Sequence, residues 1–332
     1  MVIQDLSKPL NVEKEIKLYS GSGNRELAQK IADRLGLTLS GLKLEKFANG
    51  ETYARFDESV RGDEVFIIQC IAGENVNDLL MELLIIIDAA KRASARSVTA
   101  VIPHYAYARQ DRKAAPREPI TARLVANLLE AAGVDHVITL DLHQNQIQGF
   151  FDIAVTHLTA LYLFGEYFKK KDFDWNNTVV VSPDVGRAKA AKRLSDYLGC
   201  SLAIAHKGRP KHNMAEVMAV IGDIKGKTCI INDDMIDTGG TLIGSINELK
   251  KMGAGDIYVC ATHGIFSRNA VQRLEEAPIA ECVVTNAIAE PDANKPGGKV
   301  KTISIANEFA ECIYNVFMSR PVSGIFGGNS TI

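Results

Sequence analysis

No Cys-x-x-Cys pair occurs in this chain of 332 residues; its six cysteines, at 70, 200, 229, 260, 282 and 312, stand singly within apolar stretches. That scatter suits reduced core thiols and not a disulfide framework or a zinc site. Charge of one sign is also missing. With 38 basic and 40 acidic residues the net charge is −2, which leaves no electrostatic footprint for a duplex nucleic acid or an anionic membrane. Nor is there a long hydrophobic run, since LLMELLIIIDAA from Leu79 is interrupted by Glu82 and Asp88 and is too short to cross a bilayer. The start, MVIQDLSKPLNVEKEIK, has no apolar signal core. The expectation is a soluble, cytoplasmic protein with neither nucleic acid nor membrane as partner. At 46% hydrophobic and 23% charged the composition is ordinarily globular, and the length suggests roughly two domains.

Short β-branched runs alternate with helical patterns: IKLYS then RELAQKIADRLG, VFIIQ then NDLLMELLIIIDAAKRA, SVTAVIP then PITARLVANLLEAAG, and HVITLDL. In the helix from Arg25, Leu27, Ile31 and Leu35 recur every four residues and Gly36 follows as a cap. The proline-started helix after it ends at Gly133. This is the βαβ rhythm of an α/β protein, a mostly parallel sheet flanked by helices.

The second half repeats the first. YSGSGNRELAQKIADRLG from Tyr19 and VSPDVGRAKAAKRLSDYLG from Val181 share Ser, Arg, Ala, Lys, Asp, Leu and Gly positions at an offset of 162 that becomes 163. VFIIQC matches KTCIIND in pattern, and a strand ending in Pro103-His104 has its counterpart in one ending in Thr262-His263. The repeat implies two similar domains, expected over residues 1–156 and 157–316, with a tail at 317–332 that packs back on the first.

IINDDMIDTGGT, from Ile230, crowds three acids against Thr-Gly-Gly-Thr between an expected strand, TCIIN, and an amphipathic helix, GTLIGSINELKKMG. Loops at strand C-terminal ends are where open α/β sheets bind ligands. Gly239 and Gly240 let the backbone approach a phosphate, the helix N-terminus attracts it, and the Thr238 and Thr241 hydroxyls can donate to it. Asp233 and Asp234 would repel phosphate, so they suit acceptor roles toward vicinal hydroxyls such as those of a ribose. A phosphorylated pentose satisfies both halves of the motif. The first copy carries CIAGENVND at this place and lacks the paired acids.

This stretch resembles the ribose-phosphate loop of the type I phosphoribosyltransferase fold. Together with FANGE at Phe47, PHYAYARQDRK at Pro103, TLDLHQNQIQGFFD at Thr139 and VSPDVG at Val181, the chain is similar to the ribose-phosphate pyrophosphokinase family from about Ile16 to its end. The resemblance implies a duplicated phosphoribosyltransferase-like fold and diphosphoryl transfer from Mg-ATP to the anomeric hydroxyl of ribose 5-phosphate, yielding phosphoribosyl pyrophosphate and AMP for nucleotide biosynthesis.

It also implies roles. Arg109 and Gln110, a guanidinium and an amide just after a strand, would contact ATP. Phe47, Asn49 and Glu51, which alone would read as a hairpin turn, would reach the ATP of a neighbouring subunit in a homo-oligomer, a hexamer in the family. His143 would face ATP and, with Asp184, a magnesium ion; the ion prefers oxygen, so His143 would act partly through water or on a phosphate oxygen. Asp233, Asp234, Asp237, Thr238, Gly239, Gly240 and Thr241 would hold ribose 5-phosphate. Lys207 and Arg209, expected in a loop after SLAIA, would close over the polyphosphate and supply catalytic charge, with Gly208 between them loosening the loop.

Departures from the family are few. Arg187 follows Gly186 where a second glycine is common, Asn232 stands where an apolar residue is expected, and the ending RPVSGIF has Pro321 and Gly324 in place of serines, although Arg61 in SVRG matches. The altered ending puts phosphate activation and ADP inhibition in question. Two alternatives stand beside the synthetase reading. A phosphoribosyltransferase would use the same loop, and a non-catalytic, synthetase-like regulatory subunit would be marked by loss of Lys207, Arg209 or the acids.

Overall fold

The computed structural model describes residues 14–208, 217–289 and 294–326. The first half runs β1 (Ile16–Ser20), α1 (Arg25–Leu35), β2 (Leu42–Lys46), β3 (Thr52–Phe56), β4 (Glu64–Ile68), α2 (Val76–Arg92), β5 (Ser97–Ile102), α3 (Thr121–Ala132), β6 (His136–Leu140) and β7 (Ala154–Leu158). After α4 (Leu161–Lys169) come β8 (Thr178–Ser182), α5 (Ala188–Leu198), β9 (Ser201–Gly208), β10 (Val217–Ile221), β11 (Thr228–Ile236), α6 (Gly240–Lys251), β12 (Ile257–Gly264), α7 (Ala270–Glu276), β13 (Glu281–Thr285), β14 (Val300–Ile303) and α8 (Ala306–Phe317).

The strands pair as β1-β4-β5-β6-β7 in one sheet and β10-β9-β8-β11-β12-β13-β14 in the other. Both sheets are parallel except at the β9–β10 hairpin. Stripped of β9 and β10, the second order repeats the first element for element, so the repeat in the sequence is a duplication of the fold. The counterpart hairpin, β2–β3, has left its sheet and forms a two-stranded unit of its own. β7 pairs with β6 from Ala154 to Leu158, across the division expected at 156/157.

Alternation explains the core. Phe66 and Ile68 of β4 face a cluster shared by both halves, while Val65 and Ile67 face a cluster of the first half alone, so the strand is buried on both faces. The shared cluster joins Leu27 and Ile31 of α1 and Phe164 and Phe168 of α4 to Leu194 of α5 and Phe309 and Ile313 of α8. Helix α1 packs on α8, and its counterpart α5 packs on α4, the counterpart of α8. Truncating a fully buried Phe164 here would cost about 3–5 kcal/mol.

Helix ends obey local chemistry. Gly36 and Gly133 cap α1 and α3 at φ 67° and 105°, the left-handed region that glycine enters without strain. The tail returns to the first half at its start, where Lys14 lies 4.5 Å from the Phe317 ring centroid, and Val322 and Ile325 join the shared cluster. All six cysteines are free; five are buried and Cys200 is half-buried. Burial pushes the Cys70 and Cys312 thiols up to about 12. Among the described residues no helix is long and apolar enough to cross a membrane.

Candidate functional site

The paired acids do not lie on a loop, as the motif suggested. β11 continues through Ile236, with Asp233 opposite Ala261 and Met235 opposite His263 of β12, so the loop shrinks to residues 237–239. The central strand is longer because β12 continues beside it to Gly264, and ladder pairing satisfies backbone that a loop would leave to solvent. Asp234 is buried at 3% exposure, and its neighbour Asn232, the unexpected polar residue, is buried with its amide donating to Cys260 Sγ at 3.4 Å.

Two contacts tie this strand to the first half. His143, after β6, lies with Nδ1 2.7 Å from Asp234 Oδ2, and Arg109, after β5, places Nη2 2.7 Å from Asp237 Oδ2. With Asp234 ionised the histidine donates through Nδ1, which leaves Nε2 as its second working atom. Asp233 Oδ1 accepts from the Asp234 N–H at 2.9 Å. Burial first, and the charge of Asp234 next, push Asp233 well above the ordinary carboxylate range. Burial also acts to raise Asp234, but the His143 hydrogen bond and the Arg187 charge outweigh it and hold that carboxyl low. The Asp234 hydrogen bond in turn raises His143. Asp237 is low despite burial because Ser267 and Arg109 donate to it.

Beyond the acids the chain turns at Gly239, φ 72°, into α6. Thr238, Gly240 and Thr241 are exposed there, and Arg273 of α7 donates through Nη1 to Thr238 O at 2.9 Å. No sequence signal singled out Arg273; it reaches the turn only because α7 packs against α6.

Two cavities flank the acids. One of about 280 Å³ is lined by Arg109, Gln110, Met235 and Asp237 among others; Gln110 Oε1 accepts from Thr121 Oγ1 at 2.6 Å. The other, about 350 Å³, is lined by His143, Gln144, His157, Arg187, Lys189 and Arg193 among others. Asp184 sits in the loop between β8 and α5, where its Oδ1 accepts the Arg187 N–H at 2.9 Å. Phe47, Asn49 and Glu51 line neither cavity. They form the tip of the β2–β3 hairpin, closed by Phe47 N–H to Glu51 O at 2.8 Å, with the Phe47 ring 55% exposed. Lys207 is strand and not loop, opposite Met218 in the β9–β10 hairpin; Arg209 lies outside the described residues. In the duplicated topology β9–β10 and β2–β3 are the same hairpin, so the Phe47 tip and the Lys207 end occupy equivalent positions of the two copies.

The first copy's version of the site is plugged. Gln69 directly follows β4, the strand equivalent to β11, and its Oε1 accepts from Gly23 N at 2.9 Å, while Glu82 accepts from Ser22 N at 2.7 Å and from Gln69 Nε2 at 2.8 Å. A Cβ on Gly21 would come within 2.4 Å of Gln69 Oε1. Where the second half presents carboxylates, the first fills the space with its own hydrogen bonds.

Of the two copies, the second alone carries paired acids followed by a glycine turn into a helix. Residues 16–133 match the model of the N-terminal domain of ribose phosphate pyrophosphokinase, and residues 209–327 that of the phosphoribosyl synthetase-associated domain. The chain is 49% identical over 311 residues to the ribose-phosphate pyrophosphokinase of Fusobacterium nucleatum, covering 94% of this chain and 98% of that one. It is 47% identical over 317 residues to that of Clostridium acetobutylicum, covering 96% and 99%. The phosphoribosylpyrophosphate synthetase structure from Mycobacterium smegmatis superposes with a TM-score of 0.86 at 45% identity, covering 92% of this chain and all of that one. The chain belongs to the ribose-phosphate pyrophosphokinase family.

Proposed function

We propose that the chain transfers the diphosphoryl group of ATP to the anomeric hydroxyl of ribose 5-phosphate, giving phosphoribosyl pyrophosphate and AMP. The observation that carries the residue-level reading is the pair of cross-half contacts, His143 to Asp234 and Arg109 to Asp237, which join the side expected to hold nucleotide to the side expected to hold sugar. Ribose 5-phosphate takes the turn at Gly239 with its phosphate and the acids Asp233 and Asp234 with its vicinal hydroxyls, leaving the anomeric oxygen free. Nucleotide lies toward Arg109, Gln110 and His143. The anomeric oxygen attacks the β-phosphorus, the bond from that phosphorus to the α,β-bridging oxygen breaks, and AMP carries the bridging oxygen away. Alignment and neutralisation of charge dominate such a step, so no covalent intermediate is required.

Lys207 and Arg209 supply positive charge to the oxygens in flight. Asp184 and His143 suit a magnesium ion that keeps most of its waters. Among the described residues no three His, Cys, Asp or Glu side chains converge to cage a metal, whereas Asp184 offers a carboxylate oxygen and Nε2 of His143 is available. Bound with ATP, the ion neutralises polyphosphate charge. The exposed Phe47 tip, which lines neither cavity, suits the nucleotide site of a neighbouring subunit in a homo-oligomer acting in the cytoplasm.

Phosphorus NMR of the protein with magnesium, ATP and ribose 5-phosphate tests the reading. AMP appearing with a sugar-linked diphosphate supports it. If neither forms at any phosphate or magnesium concentration, the chain is a regulatory subunit and its catalytic partner should be sought.

A further inference from the structure

A buried donor without an acceptor stands beside the paired acids. Arg187 caps the start of α5, and the turn that bonds its N–H to Asp184 aims the side chain at β11. Its Nε lies 3.9 Å from Asp234 Oδ1, too far for a hydrogen bond, yet the atom is buried and meets no acceptor among the described residues. Buried N–H groups ordinarily have a partner.

The acceptors nearby are already divided. Asp234 Oδ2 is taken by His143 and Asp233 Oδ1 by the Asp234 N–H, the two carboxyls also hydrogen-bond to each other, and Asp234 Oδ1 is the atom that Arg187 Nε faces. A guanidinium only donates and a carboxylate only accepts, so whatever joins Arg187 to Asp234 must do both, as a hydroxyl does. An oxygen about 2.8 Å from each atom would close the gap with an angle of about 90°.

We propose that Arg187 binds the sugar directly, its Nε donating to one hydroxyl of the vicinal diol while that hydroxyl donates to Asp234 Oδ1. Arg187 is therefore a determinant of pentose stereochemistry, because a hydroxyl inverted at C2 or C3 leaves the bridge. The inference rests on the reading that Asp233 and Asp234 hold the diol.

Dissociation and Michaelis constants for ribose 5-phosphate, arabinose 5-phosphate and xylose 5-phosphate, the latter two inverted at C2 and C3, test it in wild type, Arg187→Ala and Arg187→Lys. Arg187→Ala should weaken ribose 5-phosphate by about 10- to 100-fold, the loss of one charged hydrogen bond, and one of the epimers by less than about 3-fold. The preference for ribose over that epimer collapses, kcat falls less than KM rises, and Arg187→Lys keeps part of the preference. Equal weakening of all three sugars, or unchanged binding of ribose 5-phosphate, overturns the proposal. Nucleotide affinity unchanged in Arg187→Ala shows that the variant is folded. Asp233→Asn, run on the same sugars, separates the premise: if it leaves the discrimination intact, the acids do not hold the diol and both readings fall. If it changes the discrimination and Arg187→Ala does not, only the role of Arg187 falls.

Discussion

Removing the imidazole of His143 should loosen the junction between the two halves by an amount that depends on pH. The Asp234 side chain is only 4% exposed and its Oδ2 depends on His143 Nδ1, so His143→Ala leaves a buried carboxylate with one strong hydrogen bond fewer. A hydrogen bond to a charged group contributes about 1.5–3 kcal/mol, and breaking a fully buried pair costs about 3–5 kcal/mol. The histidine end is 30% exposed, which lets water replace part of the loss, so about 2 kcal/mol is expected. At about 2–4 °C per kcal/mol the unfolding midpoint drops by about 5 °C.

The sign of the pH dependence comes from both partners. His143 is raised from 6.5 in the folded protein, so its contribution is full below 6.5 and fades as pH climbs through the raised value. Asp234 is lowered from 3.8, so its contribution is full above 3.8 and fades as pH falls through the lowered value. A double-mutant cycle of His143→Ala and Asp234→Ala by urea unfolding should show a coupling of about 1–2 kcal/mol between those limits, shrinking on either side. Additivity within about 0.5 kcal/mol at a pH of about 5 to 6 would refute the pairing and the account of both shifts.

Single positions give other outcomes. Lys207→Ala should lower kcat by about 10²- to 10³-fold with substrate affinities largely kept, as loss of one group stabilising transition-state charge does; single-turnover kinetics check this, and unchanged turnover removes its catalytic role. Asp233→Asn should raise KM for ribose 5-phosphate more than that for ATP, and the reverse pattern in initial rates would mean that the two sites are exchanged. Gly239→Ala should cost about 1 kcal/mol of stability, because φ 72° strains any side chain, and should weaken ribose 5-phosphate as the turn deforms. Equal affinity and stability in calorimetry would mean that the turn tolerates a Cβ and is not tightly shaped around phosphate.

Much of the fold is legible in the sequence because its signals are local. The four-residue spacing of Leu27, Ile31 and Leu35, the glycines at 36 and 133, and the period of the repeat each depend on neighbours in the chain, and α1, α3 and the duplicated strand order appear where they point. The acids are expected on a loop because TCIIN looks like a complete strand, and nothing in it reports that β12 extends alongside to Gly264. The same holds for Lys207, since a glycine and a proline come soon after it while β10 arrives from further along the chain to pair with it.

What the sequence determined by itself is the kind of element at each place and the inventory of groups: a duplicated α/β chain in which one copy carries paired acids and a glycine turn. Tertiary structure alone decided how those groups meet. His143 finds Asp234 from 91 residues away and Arg109 finds Asp237 from 128, while His104 and His263, the ends of equivalent strands, pack ring to ring at 4.6 Å. Which polar atoms stay buried without partners among the described residues, as Arg187 Nε does, is likewise an outcome of packing. Such contacts are set by how two copies of one fold dock through α1, α4, α5 and α8, and that docking depends on the shape and area of whole faces, which no short stretch of sequence contains.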